Sequence, residues 1–165
     1  MDPCDQCGFR YSAAAADIPD ALSALAARYR AVLTTIPLAS LATRPAPETW
    51  SPLEYACHFR DVLFAQRERL YQGLIEQRPS FIPMYREQRV TIGRYNDQSP
   101  TEVADANDVG ALLLARLSEG MDDGQWQRSC IYNYPAPSER SLLWVMQHTT
   151  HEGEHHLVDI AAGLA

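Results

Sequence analysis

The 165-residue sequence predicts an all-α protein, a four-helix bundle with long connecting loops. Apolar residues recur at helical spacing in four stretches. Two of those stretches open on a Ser-Pro-x-Glu helix start. Metal-competent side chains collect on the core-facing edges of two stretches, as in bundles that build a site between facing helices.

The first helix is expected to begin near Asp17-Ile18-Pro19-Asp20 and to run through Leu22, Leu25, Ala26, Tyr29, Val32 and Leu33. A Pro-rich link from Pro37 to Pro47 leads to Trp50. Ser51-Pro52-Leu53-Glu54 then reads as a capping box with proline at the first helical position. The second helix ends near Gln77, and its stripe is Tyr55, Phe59, Val62, Leu63, Leu70 and Leu74, with His58 at the edge beside Val62. Ser99-Pro100-Thr101-Glu102 opens the third helix with the same device. That helix carries Val103, Ala106, Val109, Leu113 and Leu117 before Gly120. The fourth is expected from about Ser138-Glu139 to Gly163. The domain organisation read from this is an N-terminal tail, residues 1–16, followed by the bundle, residues 17–165.

Four of the five histidines fall in the fourth helix: His148, His151, His155 and His156. At about 100° per residue, Leu142, Val145, Met146, Leu157, Ile160, Ala161 and Leu164 gather on one face. Glu152 and His156, four residues apart, lie along its edge. His151 and His155 also pair, on the opposite face, where solvent is expected, and His148 falls between. Glu-x-x-x-His gives an oxygen and a nitrogen ligand one turn apart, a spacing that suits a divalent ion. With His58 from the second helix there are three protein ligands and an open position, the pattern of a catalytic site. The competing reading is a histidine-rich, partly exposed last helix without metal.

Two long connections are candidate site walls. Residues 78–98 hold Phe81, Met84, Tyr85, Arg86, Arg89, Arg94, Tyr95 and Asn96, and residues 121–137 hold Trp126, Arg128, Tyr132, Asn133, Tyr134 and Pro135. Aromatics beside arginines suit an anionic or polyhydroxylated small molecule; equally, they could cap the bundle ends.

A net charge of -7 argues against nucleic acid as the main partner. No apolar run reaches membrane-spanning length, and the opening residues lack the pattern of a secretory leader, so no membrane is expected and the location is expected to be cytoplasmic. Four cysteines are too few and scattered for a secreted disulfide framework. Cys4-Asp-Gln-Cys7-Gly is the one tight pair: reduced thiols on a tail, half of a zinc site completed by another chain, or a redox pair. No phosphate loop, GxSxG or HExxH is present.

Trp50-Ser51-x-x-Glu54-x-x-x-His58-x-x-Asp61, together with His148-x-x-x-Glu152-x-x-x-His156-x-x-Asp159-Ile160, resembles the DinB-like superfamily, including the mycothiol-dependent maleylpyruvate isomerase group. The resemblance covers most of the chain. It implies a DinB-like four-helix bundle and His58, Glu152 and His156 as ligands of a divalent metal, zinc or nickel. It further implies a homodimer and a small-molecule substrate, with mycothiol as a possible cosubstrate in S-transfer or isomerisation. Metal-assisted hydrolysis and a non-catalytic metal-binding stress-response module are the alternatives.

Overall fold

The computed structural model describes residues 3–164, so the outermost residues of the two expected segments lie outside the described part. The helices are α1 (Ile18–Thr35), α2 (Leu38–Leu41), α3 (Pro52–Ile75), α4 (Arg86–Ile92), α5 (Pro100–Glu119), α6 (Asp123–Trp126) and α7 (Leu142–Gly163). Strands β1 (Ser129–Asn133) and β2 (Pro137–Ser141) form an antiparallel hairpin that pairs Ser129 with Ser141 and Asn133 with Pro137. The four long helices are the four that the periodicity predicts. Among the described residues, no helix is long and apolar enough to cross a membrane.

The helix starts follow from their caps. Ser51 Oγ accepts from the Glu54 amide, and the Glu54 carboxylate accepts from the Ser51 amide at 2.7 Å. Arg44 adds a bidentate pair to that buried carboxylate, at 2.8 and 2.7 Å. At α5, Ser99 receives the Glu102 amide, but no return bond from the Glu102 side chain forms, so only half of the expected box is present. The last helix starts later than expected. Ser138 and Glu139 resemble a cap but are paired in β2, and Ser141 caps α7 by accepting from the Trp144 amide.

α1 packs on α5 and α7, while α3 also packs on α5 and α7. The ring order is therefore α1, α5, α3, α7, and the first two long helices sit diagonally. In a simple up-down bundle, successive helices are neighbours. Here the long connections let α3 and α7 face each other instead. That adjacency brings His58 to the histidine-rich helix.

The stripe expected on α5 is rotated by about one residue. Val103, Asn107, Gly110, Ala111, Leu114 and Ser118 are buried, whereas Val109 and Leu112 are exposed. Small residues face inward because the helices approach closely: a Cβ on Gly110 would lie 3.1 Å from Leu63 Cβ. The same economy governs α7. Tyr29 Oη donates to the Gly153 carbonyl at 3.0 Å, and a Cβ on Gly153 would meet Phe59 at 2.7 Å and Leu25 at 2.8 Å.

Gly153→Ala must therefore push α7 away from Phe59. Overpacking outweighs the roughly 1 kcal/mol of helix propensity that alanine adds, giving a net loss of about 1–2 kcal/mol. Urea denaturation monitored by circular dichroism measures it; unchanged or increased stability would show that the crossing has room to spare.

Candidate metal centre

α3 and α7 pack against one another, and three expected side chains converge between them. One ligand atom from each of His58, Glu152 and His156 lies within 4.8 Å of the others. Glu152 Oε2 is 3.7 Å from His58 Nε2 and 3.6 Å from His156 Nε2. These separations are too long for good hydrogen bonds. They lie at or just beyond the edge of a coordination tetrahedron, which is about 3.3–3.6 Å for metal–ligand bonds of about 2.0–2.2 Å. Both Nε2 atoms are buried and have no hydrogen-bond partner. Unpaired buried polar atoms are rare because each one forfeits its hydration. Two of them aimed at one carboxylate fit a cation-binding donor set.

The surroundings fix the candidate ligands. His156 Nδ1 donates to Asp159 Oδ2 at 2.9 Å, so that Nε2 is the nitrogen that gives up its proton and offers a lone pair, the arrangement that carboxylates impose on metal-ligating histidines. The Trp50 ring packs edge-on against His58, 5.2 Å between centroids, and Tyr55 packs on His156 at 5.0 Å. Burial lowers the pKa of His58, so its imidazole is neutral and ready to coordinate. Burial would likewise lower that of His156, but the Asp159 and Glu152 carboxylates more than offset it and raise the value. Burial would raise that of Glu152, yet the His156 and His58 imidazoles hold it well below the ordinary range.

His148 stands on the other side of Glu152, with Nε2 3.6 Å from Oε1. Burial lowers its pKa to about 4, so it presents a neutral ring. Tyr11 Oη lies 2.9 Å from Nδ1 of both His148 and His151. His151 and His155 lie away from the apolar face, but on the face adjoining His156 rather than opposite it, with the His155 and His156 ring centroids 5.6 Å apart, and not in open solvent. The N-terminal segment covers them, with Phe9 and Tyr11 packed on His151. A wheel gives the phase of a residue and says nothing of what a distant segment lays over it.

A cavity of about 240 Å³ adjoins His58, His148 and Glu152. Both long connections contribute to it: Met84, Tyr85 and Arg86 from one, Tyr132, Asn133 and Tyr134 from the other. The remaining candidates have other partners. Phe81 and Trp126 are core residues. Arg89 and Tyr95 bind Asp61 at 2.9 and 2.7 Å, Arg94 pairs with Asp97, and Asn96 accepts from Ser51 Oγ. Arg128 donates to the Gly73 and Glu76 carbonyls at the end of α3. Asp61 thus pins the 78–98 connection to α3 rather than entering the cluster. Arg69 was missed in the sequence: it lies mid-helix, but it reaches the cavity beside Tyr132, 3.4 Å from its hydroxyl. Burial pushes the Cys57 thiol up to about 12, which disfavours its thiolate form.

A bundle whose second and fourth long helices face each other around a His–Glu–His cluster defines a class of helical protein with a candidate metal site between two helices. The family model of the DinB superfamily matches residues 21–160, and the chain belongs to that superfamily. Its fold is similar to that of YfiT from Bacillus subtilis, described as a probable metal-dependent hydrolase with an unusual four-helix bundle topology. That likeness has 15% identity and a TM-score of 0.84, and covers 93% of this chain and 89% of the other. It is also similar to the mycothiol-dependent maleylpyruvate isomerase, with 12% identity and a TM-score of 0.72, over 91% of this chain and 62% of that one. No curated protein matches in sequence.

In the metal-free chain, His156 is the one candidate ligand of the three whose proton is favoured. Ion binding must displace it, so affinity should fall as pH drops through the raised His156 value, while Glu152 stays ionised. The stabilisation from raised His156 is complete below its ordinary value of 6.5 and fades as pH rises. That from depressed Glu152 is present above its ordinary 4.5 and fades as pH falls. Metal should therefore raise the melting temperature more at pH 8 than at about pH 6. Asp159→Asn should weaken binding about 10–100-fold, and His156→Ala should remove it from this cluster. Titration calorimetry of a Cys4→Ser/Cys7→Ser background measures both; equal affinities across the three proteins would contradict the ligand assignment.

Proposed function

We propose that the chain is a metal-dependent enzyme with His58, Glu152 and His156 as protein ligands of a divalent ion, zinc or nickel. We further propose that it acts on a small molecule with a low-molecular-weight thiol of the mycothiol type as cosubstrate, in S-transfer or isomerisation. The observation that carries the metal is the pair of buried, unpartnered Nε2 atoms facing one carboxylate. When bound, such an ion lowers the pKa of a thiol or water placed on it. The remaining work belongs to the chain. His58 and Glu152 border the cavity, so the open position faces its interior. Arg69 and Arg86 give the wall positive charge, and Tyr85, Tyr132 and Tyr134 give it rings and hydroxyls. Such a wall suits an electrophile with an anionic or polyhydroxylated part. A non-catalytic module would need none of this convergence.

The thiol reading rests on the sequence resemblance to the isomerase group. A second reading, metal-assisted hydrolysis, draws support from the likeness to YfiT over nearly the full length of both chains. Homodimer formation and a cytoplasmic location belong to the proposal as well. Exposed Val109 and Leu112 on α5 are compatible with self-association, and the net charge of -7 disfavours nucleic acid.

X-ray absorption at the bound metal separates the two chemistries, using Cys4→Ser/Cys7→Ser protein so that these thiols contribute nothing. Zinc–sulfur bonds are longer than zinc–nitrogen bonds by about 0.2–0.3 Å. Adding mycothiol, bacillithiol or glutathione should bring a sulfur scatterer with one of them, and turnover should require that thiol. Turnover of an ester or amide in thiol-free buffer, with no sulfur at the metal, would establish the hydrolase instead.

A further inference from the structure

A second donor cluster lies on the adjoining face of α7, where the His155 ring is 5.6 Å from that of His156. We propose that Cys4, Cys7, His151 and His155 form a closed zinc site, completed within one chain, that staples the N-terminal segment to the bundle. One ligand atom from each of the four lies within 4.8 Å of the others. Cys4 Sγ is 3.8 Å from His155 Nδ1.

The local structure has the form such a site needs. Cys4 and Cys7 stand on a tight turn in which the Gly8 amide donates to the Cys4 carbonyl at 2.7 Å and the Cys4 amide to the Phe9 carbonyl at 2.9 Å. Gly8 takes a φ of 72°, in the left-handed region that glycine adopts without strain. Both cysteines are free thiols. Across from them, His151 and His155 are one helical turn apart and point the same way. His151 Nε2 is buried without a hydrogen-bond partner, an observation independent of the cysteines. Its Nδ1 is held by Tyr11, so the free nitrogen is fixed in place. The segment is anchored further by Gln147, which donates to the Ala13 carbonyl at 2.8 Å.

Two thiols and two imidazoles in this arrangement select zinc over magnesium or calcium, and four protein donors leave no open position. Binding converts the two thiols to thiolates and sends their protons to solvent. The site differs in kind from the His58–Glu152–His156 cluster, which has a carboxylate and an open side.

The test uses the full chain, purified with reductant and loaded with zinc alone. Elemental analysis after dialysis should find two zinc ions per wild-type chain, one in Cys4→Ser/Cys7→Ser, one in His156→Ala and none when all three changes are combined. Replacing zinc with cobalt(II) should give near-ultraviolet thiolate-to-cobalt absorption in wild type and in His156→Ala, and none in Cys4→Ser/Cys7→Ser. The wild-type spectrum decides the matter without relying on any variant to fold. Equal zinc in wild type and the cysteine variant, or wild type without thiolate absorption, would overturn the proposal. So would a Cys4–Cys7 disulfide detected by mass spectrometry in the reduced preparation, or thiolate-bound metal found only in dimers linked through it. Loss of the His156-dependent ion alone would count against the proposed enzyme and leave this site standing.

Discussion

A carboxylate withdrawn from water needs donors or cations to replace its hydration. Glu152 is held at 3.6–3.7 Å from three imidazole nitrogens, those of His58, His156 and His148, and makes a short hydrogen bond to none of them. The bundle's order follows from keeping those groups together. α3 and α7 must be neighbours, so the two long helices that precede and separate them occupy the flanking positions. Gly153 is the local expression of the same demand. Next to Glu152, any side chain would hold α7 off Phe59, and Phe59 follows His58 directly. Packing and ligand placement are therefore one problem at this crossing.

Where the sequence was legible, a local rule decided the outcome. Ser51-Pro52-Leu53-Glu54 forms its capping box because all of its partners lie within four residues. The inward phase of Glu152 and His156 was readable because a long helix carries its period reliably. The rule failed where a distant element intervened. Ser138-Glu139 has the composition of a cap, but pairing with β1 is worth more to it, and α7 waits until Ser141. On α5, the largest apolar residues suggested the core face. Close packing against α1 and α3 instead selected Asn107, Gly110 and Ala111, leaving Val109 and Leu112 outside.

The loops divide in the same way. Arg89, Tyr95 and Arg128 looked as available for substrate as Arg86 or Tyr134, and composition alone cannot separate them. What separates them is the nearest unsatisfied group. Asp61 takes Arg89 and Tyr95, while the open carbonyls at the end of α3 take Arg128. Burial would raise the pKa of Asp61, but Tyr95 and Arg60 outweigh it and keep the carboxylate charged, so the 78–98 connection is tied down by an ionic hub. The residues left over are those that line the cavity. Arg69 joins them because α3 passes beneath both connections, a fact that belongs to tertiary structure.

α7 places donors on two adjoining faces, and two side chains link them. Asp159 accepts from His156 Nδ1 at 2.9 Å and lies 3.7 Å from His155 Nε2, so one carboxylate orients His156 and places its negative charge beside an imidazole of the other cluster. Tyr11 stands between His148 and His151 with a single hydroxyl proton. It can donate to only one of the two Nδ1 atoms, so the other must carry its own proton and donate to the hydroxyl oxygen. The tautomers of His148 and His151 are thereby coupled between adjacent turns of the helix. A histidine that donates through Nδ1 offers a lone pair at Nε2, and Nε2 is the atom His148 turns toward Glu152 and the atom His151 keeps buried and unpaired. Anchoring the N-terminal segment thus sets Tyr11, and Tyr11 sets the state of an imidazole on the cavity wall. The four histidines of one helix act as two clusters whose geometry is held in common.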